Sequence, residues 1–201
     1  MSWIDIAKKN LELSDEEFTD IITFIKNNVS KVNNNVITLY DKLLEMADTI
    51  TEEVSPIPLL TAVLLDSGIN PLQYMNSIPD SYGAALLDGK IELPSKIKYI
   101  GDCAFVYSDI EEIKISDGTI KVGDYAFYGC SKLKKVHLPK SIYKIGYNAF
   151  SSLNENVEIY YDGTEAEWRD VDIDGTSFTV GYNGNEYYNI HCLDKTIVAF
   201  E

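Results

Sequence analysis

Histidine, cysteine and tryptophan are scarce: the 201 residues include two histidines, three cysteines and two tryptophans. With only His137 and His191, imidazole bases and imidazole ligands are few. His191 adjoins Cys192, but neighbours on a strand point to opposite faces, so they do not form a nucleophile and base pair. Phosphate-loop, zinc-protease and nucleophile-elbow motifs are absent. The expectation is no enzyme and no cofactor. Cys103, Cys130 and Cys192 are odd in number, far apart and without a C-x-x-C, which argues against a disulfide framework or zinc site. Long apolar runs are missing too. The longest candidate, "PIPLLTAVLL", falls short of the roughly 20 residues of a spanning helix, so no membrane partner is expected. "MSWIDIAKKN" lacks the basic, apolar and small-residue order of a secretory signal, giving an expectation of cytoplasmic location. Basic residues number 17 against 32 acidic ones, a formal charge of -15, which argues against direct nucleic acid binding.

What is present is a repeat. "IGDCAF" at 100–105 returns as "VGDYAF" at 122–127 and "IGYNAF" at 145–150. Ile91, Ile113 and Val136 each precede the leading aliphatic of a box by nine residues, and Val157 is read as a fourth start. The period of 21 to 23 residues lies in the leucine-rich repeat range, so each unit reads as one turn of a solenoid. Gly101, Gly123 and Gly146 are expected at tight turns with positive φ. Ala104, Ala126 and Ala149 let turns approach, and Phe105, Phe127 and Phe150 are expected to stack inward as core.

"LPSKIKYIGDCAF", "ISDGTIKVGDYAFYGCSKLKKV" and "LPKSIYKIGYNAF" resemble the BspA-like bacterial leucine-rich repeat family. "VEIYYDGTEAEWRDV" and "YYNIHCLDKTI" are similar to the segment that closes many members. The resemblance covers about residues 77–197, with a degenerate leading unit in "SIPDSYGAALLDGK". It implies parallel stacked strands and a binding role, often at cell surfaces.

On such strands, alternation turns out Lys90, Glu92 and Pro94, then Glu112, Lys114 and Ser116, then Lys135, His137 and Pro139, then Asn156, Glu158 and Tyr160. Opposite charges on neighbouring strands satisfy one another, unless His137 and Tyr160 mark a protein-binding centre. Twelve of the 14 tyrosines fall in the repeat half; Tyr107, Tyr128 and Tyr147, beside the boxes, are candidate contacts because tyrosine is enriched in binding surfaces.

The first 76 residues read differently. Ser14 and Glu17 form a capping box before Phe18, Ile21, Ile22, Ile25 and Val29 at helical spacing. A second amphipathic stretch runs from Val36 to Ile50, a third helix is expected in "PIPLLTAVLLDSG", and Pro71 suits the start of a fourth. The expected fold is therefore α+β: a helical bundle over 1–76, repeats over 77–161 and a β-rich acidic C-terminal cap over 162–201. The cap carries Asp162, Glu165, Glu167, Asp170, Asp172 and Asp174, without the spacing of a calcium loop. These acids either solubilise the end or attract a basic partner.

The functional expectation is a non-catalytic protein-binding module, an intracellular regulator or inhibitor of a protein that is basic or nucleic-acid-associated. One alternative is a phage-type acidic inhibitor occupying a basic nucleic-acid-binding groove. The other is a structural or surface-attachment protein.

Overall fold

The computed structural model describes residues 57–66, 71–74, 77–80, 82–83, 88–180 and 187–198, with a few isolated positions between 14 and 23. The chain divides into two compact units, Met1–Met75 and Asn76–Glu201. In the first, α1 (Ile57–Asp66) occupies the expected third helix, and Pro71–Tyr74 forms a 3-10 turn. Ile57, Leu60, Ala62 and Leu64 of α1 are buried. Of the expected first helix, Asp15, Glu16, Phe18, Thr19 and Thr23 are described and helical, and the expected second helix lies outside the described residues.

The second unit is a mostly β solenoid of stacked coils. β1 (Ser77–Ile78), β3 (Tyr99–Ile100), β5 (Lys121–Val122), β7 (Lys144–Ile145) and β9 (Asp172–Ile173) form one parallel sheet. β2 (Asp88–Glu92), β4 (Asp109–Lys114), β6 (Lys135–Leu138), β8 (Glu158–Tyr161) and β10 (Asn189–His191) form another, closed by antiparallel β11 (Thr196–Val198). Each coil contributes one strand to each sheet, which is why β-branched residues recur at fixed intervals. Ile78, Ile100, Val122 and Ile145 face inward from one sheet, and Ile113, Val136, Ile159 and Ile190 from the other, all buried. The fourth start is therefore Ile159, which pairs with Val136, and not Val157.

The boxes lie on the corner that joins the two sheets. Tyr82 meets Phe105 edge to face at 6.0 Å, and Phe105, Phe127, Phe150 and Phe178 stack at 5.0, 5.0 and 5.3 Å. All five rings are 0% or 1% exposed, and burial of each phenylalanine contributes about 1.5–3 kcal/mol. The ring column thus extends into the leading unit at one end and into the segment after β8 at the other. There, "DIDGTSF" at 172–178 supplies one more box, with Ser177 where earlier boxes have alanine. It comes late because Ile173 pairs with Ile145 after 28 residues, the extra chain being taken up by α2 (Glu165–Arg169).

Corner backbones are hydrogen-bonded from coil to coil although they are not strands. The amides of Gly83, Phe105, Phe127 and Phe150 donate to the carbonyls of Ala104, Ala126, Ala149 and Ser177 at 2.7–2.9 Å. Cys130 continues this pattern: its Sγ donates to the carbonyl of Phe105 at 3.0 Å, as Ser108 Oγ donates to that of Gly83 at 2.8 Å. Burial pushes the Cys130 thiol up to about 12, so it is an inert packing residue.

The role expected of the box glycines is corrected. Positive φ is found at Gly89, Gly118 and Gly129, not at Gly101, Gly123 or Gly146. The left-handed box position is two residues later, at Cys103, Tyr125 and Asn148, with φ of 51–55°. The box glycines are needed because the preceding coil passes too close for a Cβ. At Gly123 one would lie 2.4 Å from Asp102 Oδ1 and 2.7 Å from the Gly101 carbonyl carbon.

That close approach builds a carboxylate ladder. Asp80 Oδ1 accepts the amide of Asp102 at 2.8 Å, Asp102 Oδ1 that of Asp124 at 2.9 Å, and Asp124 Oδ1 that of Tyr147 at 2.9 Å. Asp102→Ala should therefore destabilise by about 0.5–1.5 kcal/mol, while Asp102→Asn, which keeps an acceptor oxygen, should cost distinctly less. Urea midpoints of the two variants check this. Equal losses would deny the ladder its role.

Candidate functional site

Two surfaces gather the residues singled out in the sequence. The first is the outer face of the six-stranded sheet. Register places Lys90, Glu112, Lys135 and Glu158 in one row, and Glu92, Lys114, His137 and Tyr160 in the next. Asn156 and Glu158, expected as the last members of these rows, are thus replaced by Glu158 and Tyr160. Pro94, Ser116 and Pro139 do not form a third exposed row, since Ser116 and Pro139 are buried. Lys90 Nζ meets Glu112 Oε2 and Lys114 Nζ meets Glu92 Oε1, each at 2.7 Å. Hydrogen bonding to its partner raises each lysine and lowers Glu112. The charged half of this face is therefore largely self-paired.

Its other half is aromatic. His137 stacks on Tyr160 at 5.2 Å, and Tyr160 on His191 at 5.0 Å. Both histidines of the chain thus share one ring stack. His191 Nδ1 lies 2.9 Å from Thr196 Oγ1 on β11, which fixes the outer ring. An open groove of about 480 Å³ runs beside the stack and is also lined by Asp162, Cys192 and Leu193. The sequence excludes only a pairing of His191 with Cys192 and does not place His191 beside Tyr160. Its place was concealed because counting from Val157 moved Tyr160 out of the row of His137.

The second surface is the corner that carries the boxes. Tyr107 and Tyr128 meet edge to face at 5.7 Å, Tyr128 and Tyr125 at 5.6 Å, and Tyr125 and Tyr147 at 5.4 Å. Tyr107 is 61% and Tyr147 40% exposed, whereas Tyr125 and Tyr128 are half-buried. Tyr107 has a φ of 54° and lies against Gly129, whose added Cβ would come within 2.4 Å of its ring. The expected contact residues Tyr107, Tyr128 and Tyr147 thus form one continuous ridge, joined by Tyr125.

The acids of the C-terminal segment are not one cluster. Glu165 pairs with Arg169 and Lys195, each at 2.7 Å, and both cations hold its carboxyl below the usual range. Glu167 completes a capping box with Thr164, whose backbone amide bond lowers it in the same way. Asp172 pairs with Lys144 at 2.7 Å, and Asp170 is the C-cap of α2. Asp162 and Asp174 are exposed on separate parts of the coil. Three of the six therefore have structural partners. Among the described residues, no group of three or more His, Cys, Asp or Glu is placed to hold a metal ion.

Residues 86–166 match the BspA type leucine rich repeat region, in six copies. No curated protein matches. Among solved structures, the crystal structure of the pneumococcal vaccine antigen PcpA is similar at 24% identity and a TM-score of 0.35, covering 55% of this chain and 35% of that one. The chain thus spans about a third of the length of that structure.

Proposed function

We propose, for a chain whose repeat section belongs to the BspA type of leucine-rich repeat, that it is a non-catalytic module binding another protein through the tyrosine corner. The supporting observation is the ridge of four touching tyrosines on a backbone laddered from coil to coil. Association costs less when contact side chains are held before the partner arrives, and tyrosine offers a large area for two rotatable angles. The charged sheet face is the weaker candidate, because a partner would have to compete with the Lys90–Glu112 and Lys114–Glu92 pairs. On this reading, a regulator or inhibitor acts by covering a surface of its partner.

Selection of a randomised peptide library displayed on yeast, with the full chain as bait, tests the proposal. Tyr107→Ser and Tyr147→Ser should each weaken the selected peptides about tenfold or more. Ser152 already holds the left-handed position equivalent to Tyr107, so serine suits that backbone. Unchanged affinities in both variants would refute the proposal.

A further inference from the structure

We infer that the partner segment seated on this corner is cationic: an extended stretch whose arginine or lysine side chains pair with Asp80, Asp102 and Asp124 and stack on the tyrosines. This rests on the tyrosine corner being the binding surface. Charge complementarity carries it. The corner segments 77–83, 101–108, 123–131 and 146–154 contain no lysine, arginine or histidine, although they contain Asp80, Asp102 and Asp124. The flanking cations Lys132 and Lys144 are occupied by Asp109 and Asp172 at 2.6 and 2.7 Å, and Lys121 belongs to the adjoining sheet. A balanced repeat region, with ten acids and ten bases over 78–157, therefore presents one face of a single sign.

Geometry strengthens the match. The ladder aspartates are exposed, yet one oxygen of each is fixed by an amide of the next coil. The other oxygen faces a partner without the usual loss of side-chain freedom. Coils repeat at about 4.8 Å, so Asp80 and Asp124 stand roughly 10 Å apart, the span of about three extended residues. Tyr147 continues the ladder line and its ring meets Tyr125, so aromatic faces adjoin the last carboxylate. Planar guanidinium groups use both kinds of contact at once, pairing with carboxylates and stacking on rings. An acidic or purely apolar segment would leave the three carboxylates unpaired.

Fluorescein-labelled hexa-arginine serves as the probe, titrated into the full chain at 0.05 and about 0.15 M salt. The triple variant Asp80→Asn, Asp102→Asn, Asp124→Asn keeps the amide acceptors and removes three charges. It should weaken binding about tenfold at the higher salt. Removal of three other exposed acids, in Asp117→Asn, Asp162→Asn, Asp170→Asn, should change it less than twofold. Equal losses in the two triple variants would mean general attraction to an acidic protein, and no loss in the first would mean binding elsewhere; either overturns the inference. Selected peptides that lose affinity with Tyr107→Ser but carry no excess of basic residues would leave the tyrosine surface standing and overturn the cationic partner alone.

Discussion

Phe127→Ala is expected to destabilise the repeat unit by about 3–5 kcal/mol, enough to unfold a marginal domain. Phe127 is fully buried, and Phe105 and Phe150 each stack on it at 5.0 Å. Truncation opens a void between coils whose backbones are hydrogen-bonded on both sides, through Phe127 N to Ala149 O and Phe105 N to Ala126 O. The coils cannot collapse into the space without breaking that ladder. Equilibrium urea unfolding followed by tyrosine fluorescence measures the loss. Phe178→Ala, at the end of the column, should cost less because its ring is stacked on one phenylalanine only, though it also meets Trp168 at 5.5 Å. A change under about 1 kcal/mol for Phe127→Ala would mean that the column does not hold the coils together.

Gly123→Ala is expected to cost at least 1–3 kcal/mol, as overpacking typically does. The added Cβ would stand 2.4 Å from Asp102 Oδ1, 2.7 Å from the Gly101 carbonyl carbon and 2.8 Å from the Asp102 amide nitrogen. Two of these three are backbone atoms of the preceding coil. Relief therefore requires the coils to separate, which also strains the Asp102 to Asp124 bond. Gly175→Ala is the internal comparison, since a Cβ there meets nothing within 4 Å and its cost should stay within about 0.5 kcal/mol. Thermal midpoints of the two variants decide the matter. Equal shifts would show that close approach of the preceding coil is not what requires glycine in the box.

Much of the fold was legible because solenoid coils repeat their chemistry. The spacing of Ile91, Ile113 and Val136, together with the Phe105, Phe127 and Phe150 boxes, specifies parallel strands and an inward aromatic column. What escaped detection lies where the period breaks. The last box, ending in Phe178, is displaced by the α2 insertion and has lost its glycine and alanine, so spacing alone conceals it. Val157 imitates a strand start because it is also aliphatic and buried, but the ladder begins at Glu158. The role of the box glycines was misread for a different reason. Positive φ and close approach both select glycine, and one chain cannot separate them without the neighbouring coil.

Of the candidate surfaces, the tyrosines were visible and their continuity was not. Tyr107 and Tyr128 stand 21 positions apart and Tyr125 and Tyr147 stand 22 apart, but stacking brings each pair of rings within 6 Å. Two of the three ladder aspartates, Asp102 and Asp124, follow box glycines in plain sight. Their function depends on amides one coil away, which no local pattern reveals.

The most direct test of the account is a spectrum of the full chain with 13C-labelled tyrosine rings, recorded with and without a peptide selected from the displayed library. Ring signals of Tyr107, Tyr125, Tyr128 and Tyr147 should move together on binding, while that of Tyr160 on the sheet face stays in place. Movement of Tyr160 with the Tyr107 and Tyr147 signals unchanged would transfer binding to the His137–Tyr160–His191 groove and contradict the assignment of the corner.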